Sequence, residues 1–178
     1  MNAKGRQDYA IGEKVVYPNH GVGEIKKVRK QMVMGEEKEY YQIFIPSLDM
    51  DILLPVENAK SLGLRGLSSK EEIRKALSSL KEKENLPYSD WKARQNAQTA
   101  LMKNGDIRSI ASVVNILYHR QKVKDLPVME RRIFENALTH LIDETSLVMA
   151  ISQEDARRTI FARLEKLKPH NPTSHDGS

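Results

Sequence analysis

The chain has 178 residues, a formal net charge of +5 and a sequence pI near 9.3, enough for one ordinary domain or two small ones. It contains no cysteine, which excludes disulfides, thiol nucleophiles and cysteine-based zinc sites. No run approaches the roughly 18 apolar residues of a membrane span, and the polar opening MNAKGRQDYAIGEK has no signal-peptide core, so a cytoplasmic protein without membrane contact is expected.

From Tyr9 to about Lys60 the pattern is that of strands. KVVYP (14–18) stops at Pro18, NHG supplies turn residues, and VGEIKKVRKQMVM runs extended to a second turn at Gly35. KEYYQIFIP (38–46) alternates, with Tyr41, Ile43 and Ile45 on one face and Tyr40, Gln42 and Phe44 on the other. MDILLP (50–55) sets Ile52 and Leu54 together and Leu53 opposite. Short strands joined by tight turns predict a small antiparallel β-barrel of SH3 or Tudor type. So small a unit buries little alone, and it is expected to lean on the C-terminal half of the chain.

GLRGLSS (63–69) reads as a linker, and the period then becomes helical. Ser69 with Glu72 forms a capping box before IRKALSSL. Ser89 is the expected N-cap of a helix that ends at Asn104-Gly105, and Asp106 caps the next, with Ile107, Ile110, Val113, Val114 and Leu117 at helical spacing. A fourth helix starts near Pro127 and buries Ile133, Ala137, Leu138, Leu141 and Ile142. A fifth opens at Ser152 with Asp155 and carries Ala156, Ile160, Phe161 and Leu164. The predicted fold is α+β with two domains: a Tudor/SH3-like antiparallel β-barrel at 1–62, a linker at 63–69 and a compact bundle of about five α-helices at 70–168. The apolar-free ending, 169–178, is expected to be disordered.

The cations are unevenly placed. From Lys92 to Lys124 there are seven (Lys92, Arg94, Lys103, Arg108, Arg120, Lys122, Lys124) against one acid, Asp106, a candidate footprint for phosphate whose plain counterpart is a solvated helix surface. Catalytic patterns fail in turn. No His pair has zincin spacing, GVG at 21–23 lacks the third glycine and helix of a dinucleotide loop, and no nucleophile elbow or Walker loop occurs. His20 in PNHG reads as a turn residue or a binding-surface contact rather than a catalyst. No catalytic residue, metal site or cofactor is expected, and the chain reads as a binding protein.

Trp91 is the single tryptophan. In the helix that contains it, Ala93, Ala97, Ala100 and Leu101 form the predicted buried stripe, and Trp91 lies about 200° from Ala93. It would therefore share an outward face with Arg94, Gln95 and Gln98. A tryptophan on a basic surface at a helix start can stack on a base or wedge between base steps, worth on the order of 1–3 kcal/mol. Three or four phosphate contacts alone give only a salt slope of about −3 and weak non-specific binding, so this half needs a tether beside DNA. An edge strand of the β-half, able to pair with another protein, could provide it.

The combination IGEKVVYPNHGVGEI, GEEKEYYQIFIP, LLPVENAKSLGLR and a downstream DWKAR resembles the CarD/CdnL family of bacterial RNA polymerase-binding transcription regulators, over about residues 9–165. The resemblance implies a Tudor-like domain that binds the polymerase β subunit, sharing ancestry with the module of transcription-repair coupling factors. It also implies a helical domain that touches promoter DNA, without sequence specificity, at the upstream edge of the melted bubble. It carries the role of minor-groove wedge to Trp91, with Lys92 and Arg94 as phosphate contacts. The polymerase face falls at Gln31, Phe44, Leu53 and Pro55. Some relatives carry arginine at the positions matching Gln31 and Leu53, so that charge-assisted contact is absent here.

The expectation is thus a global transcription regulator, monomeric and nucleoid-associated through RNA polymerase, that stabilises the open promoter complex. The competing reading is a polymerase-binding adaptor whose helical half recruits another protein rather than DNA.

Overall fold

In a computed structural model of the chain the structure describes residues 8–82, 84 and 90–166. Ser89 and the predicted disordered ending lie outside them. Five strands come first: β1 (Lys14–Tyr17), β2 (Gly21–Val33), β3 (Glu36–Ile45), β4 (Met50–Pro55) and β5 (Arg65–Gly66). Five helices come after them: α1 (Lys70–Ser79), α2 (Trp91–Asn104), α3 (Ile107–Gln121), α4 (Val128–Met149) and α5 (Gln153–Glu165). The α+β class and the order of the halves are as expected.

The strands form one antiparallel sheet in the order β4-β3-β2-β1-β5. The expected barrel is corrected to an open sheet: β4 and β5 are its two edges and do not pair among the described residues. With two residues, β5 is too short to close a barrel, and the chain then turns away to meet the helices. Alternation does the rest. Tyr41, Ile43 and Ile45 are buried with Val15, Ile25 and Leu54 in the sheet's own core, and a bulge between Ile25 and Lys27 returns Val28 to the Tyr41 side.

The helical half has a separate core. Its predicted caps are present: Ser69 and Glu72 exchange hydrogen bonds in a capping box, and Asp106 accepts from the Arg108 and Ser109 amides. Ser152 accepts from the Asp155 amide, and Gly105 ends α2 in the left-handed conformation at φ 74°. Asp90, not Ser89, caps α2, because its carboxylate accepts from the Ala93 amide at 3.1 Å. In α4, Phe134 is buried and Ile133 only partly so.

The 63–69 segment, predicted to be a linker, is itself structured. Arg65 and Gly66 pair with Val16 and Val15, and the Arg65 side chain crosses to the helices. Its guanidinium holds Glu144 of α4 with two bonds, 2.7 and 2.9 Å, and donates to the Gly105 carbonyl at 3.1 and 2.8 Å. The Ser68 amide adds a bond to Glu144 at 2.8 Å. The Tyr17–Gly21 turn, the PNHG of the sequence, packs into the same joint: Pro18 lies against Gly63 and Gly105, and His140 against Gly21. Asn136 donates to the Asn19 carbonyl at 3.4 Å. The cavity left there is about 10 Å³, no more than a water's worth.

Gly21 shows how close the fit is. Its φ is +92°, and an added Cβ would stand 2.8 Å from His140 Cδ2. Gly21→Ala is therefore expected to destabilise the protein by about 2 kcal/mol, from backbone strain and from displacement of the imidazole. A fall of several degrees in Tm checks it, and an unchanged Tm refutes it.

Candidate nucleic-acid and partner interface

On the helical side the site is built at the start of α2. Trp91 is the first helical residue, 57% exposed, with Lys92 Nζ 5.6 Å from its ring centroid. The exposure is as expected, but the alanine stripe is not the buried face of α2. Gln98 and Met102 are the buried residues of α2, while Ala100 is exposed and Ala93 and Ala97 are only half-buried. Seven residues bring a helix round by about 700°, so Trp91 projects in nearly the same direction as buried Gln98. Its exposure comes from its place at the helix end: the Arg94 side chain, within one turn of it, is already 14% exposed. Alanine carries little hydrophobic signal, which is why the alanines misled the helical count.

A tight Gly105-Asp106 turn makes α2 and α3 neighbours running in opposite directions. The end of α3 thereby returns beside Trp91. Glu130, buried in the first turn of α4, lies 3.7 Å from Arg94 Nε and accepts from Arg120 Nε at 2.9 Å. The predicted residues thus divide. Trp91, Lys92, Arg94, Arg120, Lys122 and Lys124 gather at one end of the helical half. Lys103 and Arg108 are exposed at the other end of α2, about 18 Å away at 1.5 Å per residue. Within the first group Lys92, Lys122 and Lys124 are exposed, with Lys122 Nζ 4.5 Å from the Tyr118 ring centroid. Arg94 and Arg120 turn their Nε atoms toward Glu130, at 3.7 and 2.9 Å.

Arg131 and Arg132, both exposed at the start of α4, lie beyond the basic stretch 92–124 in the sequence, and only the Glu130 contacts bring them to the Trp91 end.

On the β side, register places all four expected polymerase contacts on the outward face of the sheet. Tyr40 stands opposite Pro55, Gln42 opposite Leu53, and Gln31 opposite Lys38. Phe44 shares that face, since it comes two residues after Gln42. Leu53 is 44% exposed, Phe44 and Pro55 are half-buried, and Lys26 Nζ lies 6.0 Å from the Phe44 centroid. Gln31 is set apart, about 20 Å along β3 from Phe44 at roughly 3.4 Å per residue. β4 pairs only with β3, so its outer backbone edge is open to another strand among the described residues.

His20 sits in the joint rather than in a catalytic cleft. Its ring stacks on Tyr17 at 4.8 Å, its Nδ1 is 3.0 Å from the Pro18 carbonyl, and the one carboxylate lining that small cavity, Glu144, is held by Arg65. Among the described residues no helix is long and apolar enough to cross a membrane.

Two family models match the chain. Residues 9–68 match the CarD-like/TRCF RID domain model, and residues 75–161 match the CarD C-terminal domain model. The chain is similar to a protein of Bacillus subtilis (strain 168) named "Putative transcription factor YdeB". The two are 26% identical over 149 residues, covering 84% of this chain and 97% of that relative.

Proposed function

From the premise that the chain belongs to the CarD family of RNA polymerase-interacting transcription factors, we propose that it holds RNA polymerase with its β-half and braces melted promoter DNA with its helical half. The grip is on the polymerase β subunit, through the open β4 edge and the outward face bearing Phe44, Leu53 and Pro55, with Gln31 at its far end. Residues 1–62 and 70–168 act as the two working units of a monomer that resides in the cytoplasm on the nucleoid. No catalytic step is involved.

The observation that carries the reading is the half-exposed indole of Trp91 at a helix end, with Lys92 over its ring and exposed Lys122 and Lys124 at the same end of the helical half. Such a ring wedges between unstacked base steps at the upstream edge of the bubble, and the lysines neutralise phosphates on either side. A wedge that fits only opened DNA shifts the closed–open equilibrium toward open. Each kcal/mol of that preference is roughly fivefold.

Trp91→Ala is therefore expected to shorten the lifetime of polymerase–promoter open complexes roughly fivefold or more, given about 1–3 kcal/mol per stacked ring, with polymerase affinity unchanged. An unchanged lifetime would sink the wedge. DNA association that ignores salt would instead favour an adaptor that recruits a protein.

A further inference from the structure

Among the described residues, the helix that carries Trp91 has little apolar hold on the rest of the protein. Only Gln98 and Met102 of α2 are buried, with Leu101 packed at the edge of the helical core. Gln98 adds no polar anchor: among the described residues neither of its buried amide atoms has a hydrogen-bond partner. Three alanines on the helix offer no bulk with which to fix its rotation.

Glu130 supplies what α2 lacks. It is 5% exposed, and its two carboxylate oxygens face different helices. One lies 3.7 Å from Arg94 of α2, and the other accepts from Arg120 of α3 at 2.9 Å. A single buried anion thus joins the first turn of α2, the last turn of α3 and the first turn of α4. Arg94 is three residues from Trp91, within one helical turn, so a fixed Arg94 fixes both the rotation of α2 and the direction in which the indole emerges. Removing the anion takes away the group that Arg94 of α2 and Arg120 of α3 both face, so the first turn of α2 is freer to move. The motion falls on α2, the helix with the fewest buried apolar residues among the described ones.

We infer that Glu130 is a positioning residue for Trp91, a carboxylate that aims the indole without touching DNA. Its functional consequence rests on the wedge reading above, whereas its effect on Trp91 in the free protein does not.

Trp91 is the only tryptophan, so its time-resolved fluorescence anisotropy reports the local geometry directly in the full chain. Glu130→Gln is expected to raise the amplitude of fast indole motion roughly twofold, the difference between a rigid and a flexible site. Far-UV circular dichroism and polymerase affinity stay as in the parent. Glu130→Asp, which keeps the charge, restores a large part of the rigidity. Arg94→Met, which cuts the link from the α2 side, loosens Trp91 as Glu130→Gln does and covers the case in which that variant fails to fold. On promoters, Glu130→Gln shortens open-complex lifetime toward that of Trp91→Ala and has no further effect when added to it. Folded Glu130→Gln or Arg94→Met with unchanged Trp91 anisotropy overturns the inference. Equal lifetimes for parent and Trp91→Ala overturn the wedge reading, and the anisotropy arm then decides the positioning role separately.

Discussion

Glu144→Ala is expected to destabilise the protein by about 3–5 kcal/mol, the range for removing one partner of a buried ion pair. The Glu144 side chain is 3% exposed and Arg65 25%, so water cannot replace the lost carboxylate. Three bonds go with it: two from the Arg65 guanidinium and one from the Ser68 amide. The guanidinium would keep its carbonyl partners at Gly105 and Gly66 and the Ser68 hydroxyl at 3.4 Å. Because these bonds join β5 to α4, the loss falls on the joint between the halves rather than on either core. Thermal melting checks the size, and a Tm within a degree of the parent would refute the pair as the main fastening. A double-mutant cycle with Arg65→Ala separates this from a simple cavity. The double variant is expected to be less unstable than the sum of the singles, since neither charge is then left buried alone.

Mild acid is expected to act on the same joint. His140 packs against Gly21, and burial holds its pKa down at about 4; Glu144 opposes the shift, and His20 and Arg65 add to it. In the unfolded chain the imidazole titrates near its ordinary value of about 6.5. Between these values the unfolded chain binds a proton that the folded protein refuses, so stability falls as pH drops. The contribution is complete above about pH 6.5 and lost by about pH 4, some 3 kcal/mol over the whole window. The groups that face the ring decide how much is seen: His20 from the Tyr17–Gly21 turn, Arg65 from β5 and Glu144 from its own helix. Comparing Tm at pH 7.5 and pH 4.5 tests this. His140→Gln should flatten the difference, and an equal slope in both proteins would assign the acid sensitivity elsewhere.

Both effects lie at a place that the sequence showed only as a turn and a linker. VVYPNHGVG carried part of the family resemblance, and its physical use proves to be docking: Pro18 and Gly21 fill the space beneath α4 and the α2–α3 turn. Arg65 and Glu144 are 79 residues apart, and no local pattern marks them as partners. Glu130 was equally hidden. It lies past the basic stretch and reads as one more surface acid, until folding brings two arginines to it.

Elements governed by neighbours in the chain were legible from residues alone. Alternation at Tyr41, Ile43 and Ile45 set the inner face of the sheet, because successive side chains of a strand point to opposite sides. Ser69 with Glu72, Ser152 with Asp155, and Asn104-Gly105 marked helix ends, because caps act within a single turn. The solvent exposure of Trp91 was also anticipated, though from an alanine stripe that does not form the buried face of α2. Tertiary structure alone decided which side of α2 faces inward, that the sheet stays open, which cations meet Glu130, and how the two halves lock. Each of these depends on charges and packing surfaces that only the fold brings within a few ångströms of one another. At such range a buried carboxylate outweighs the weak apolar preference of three alanines.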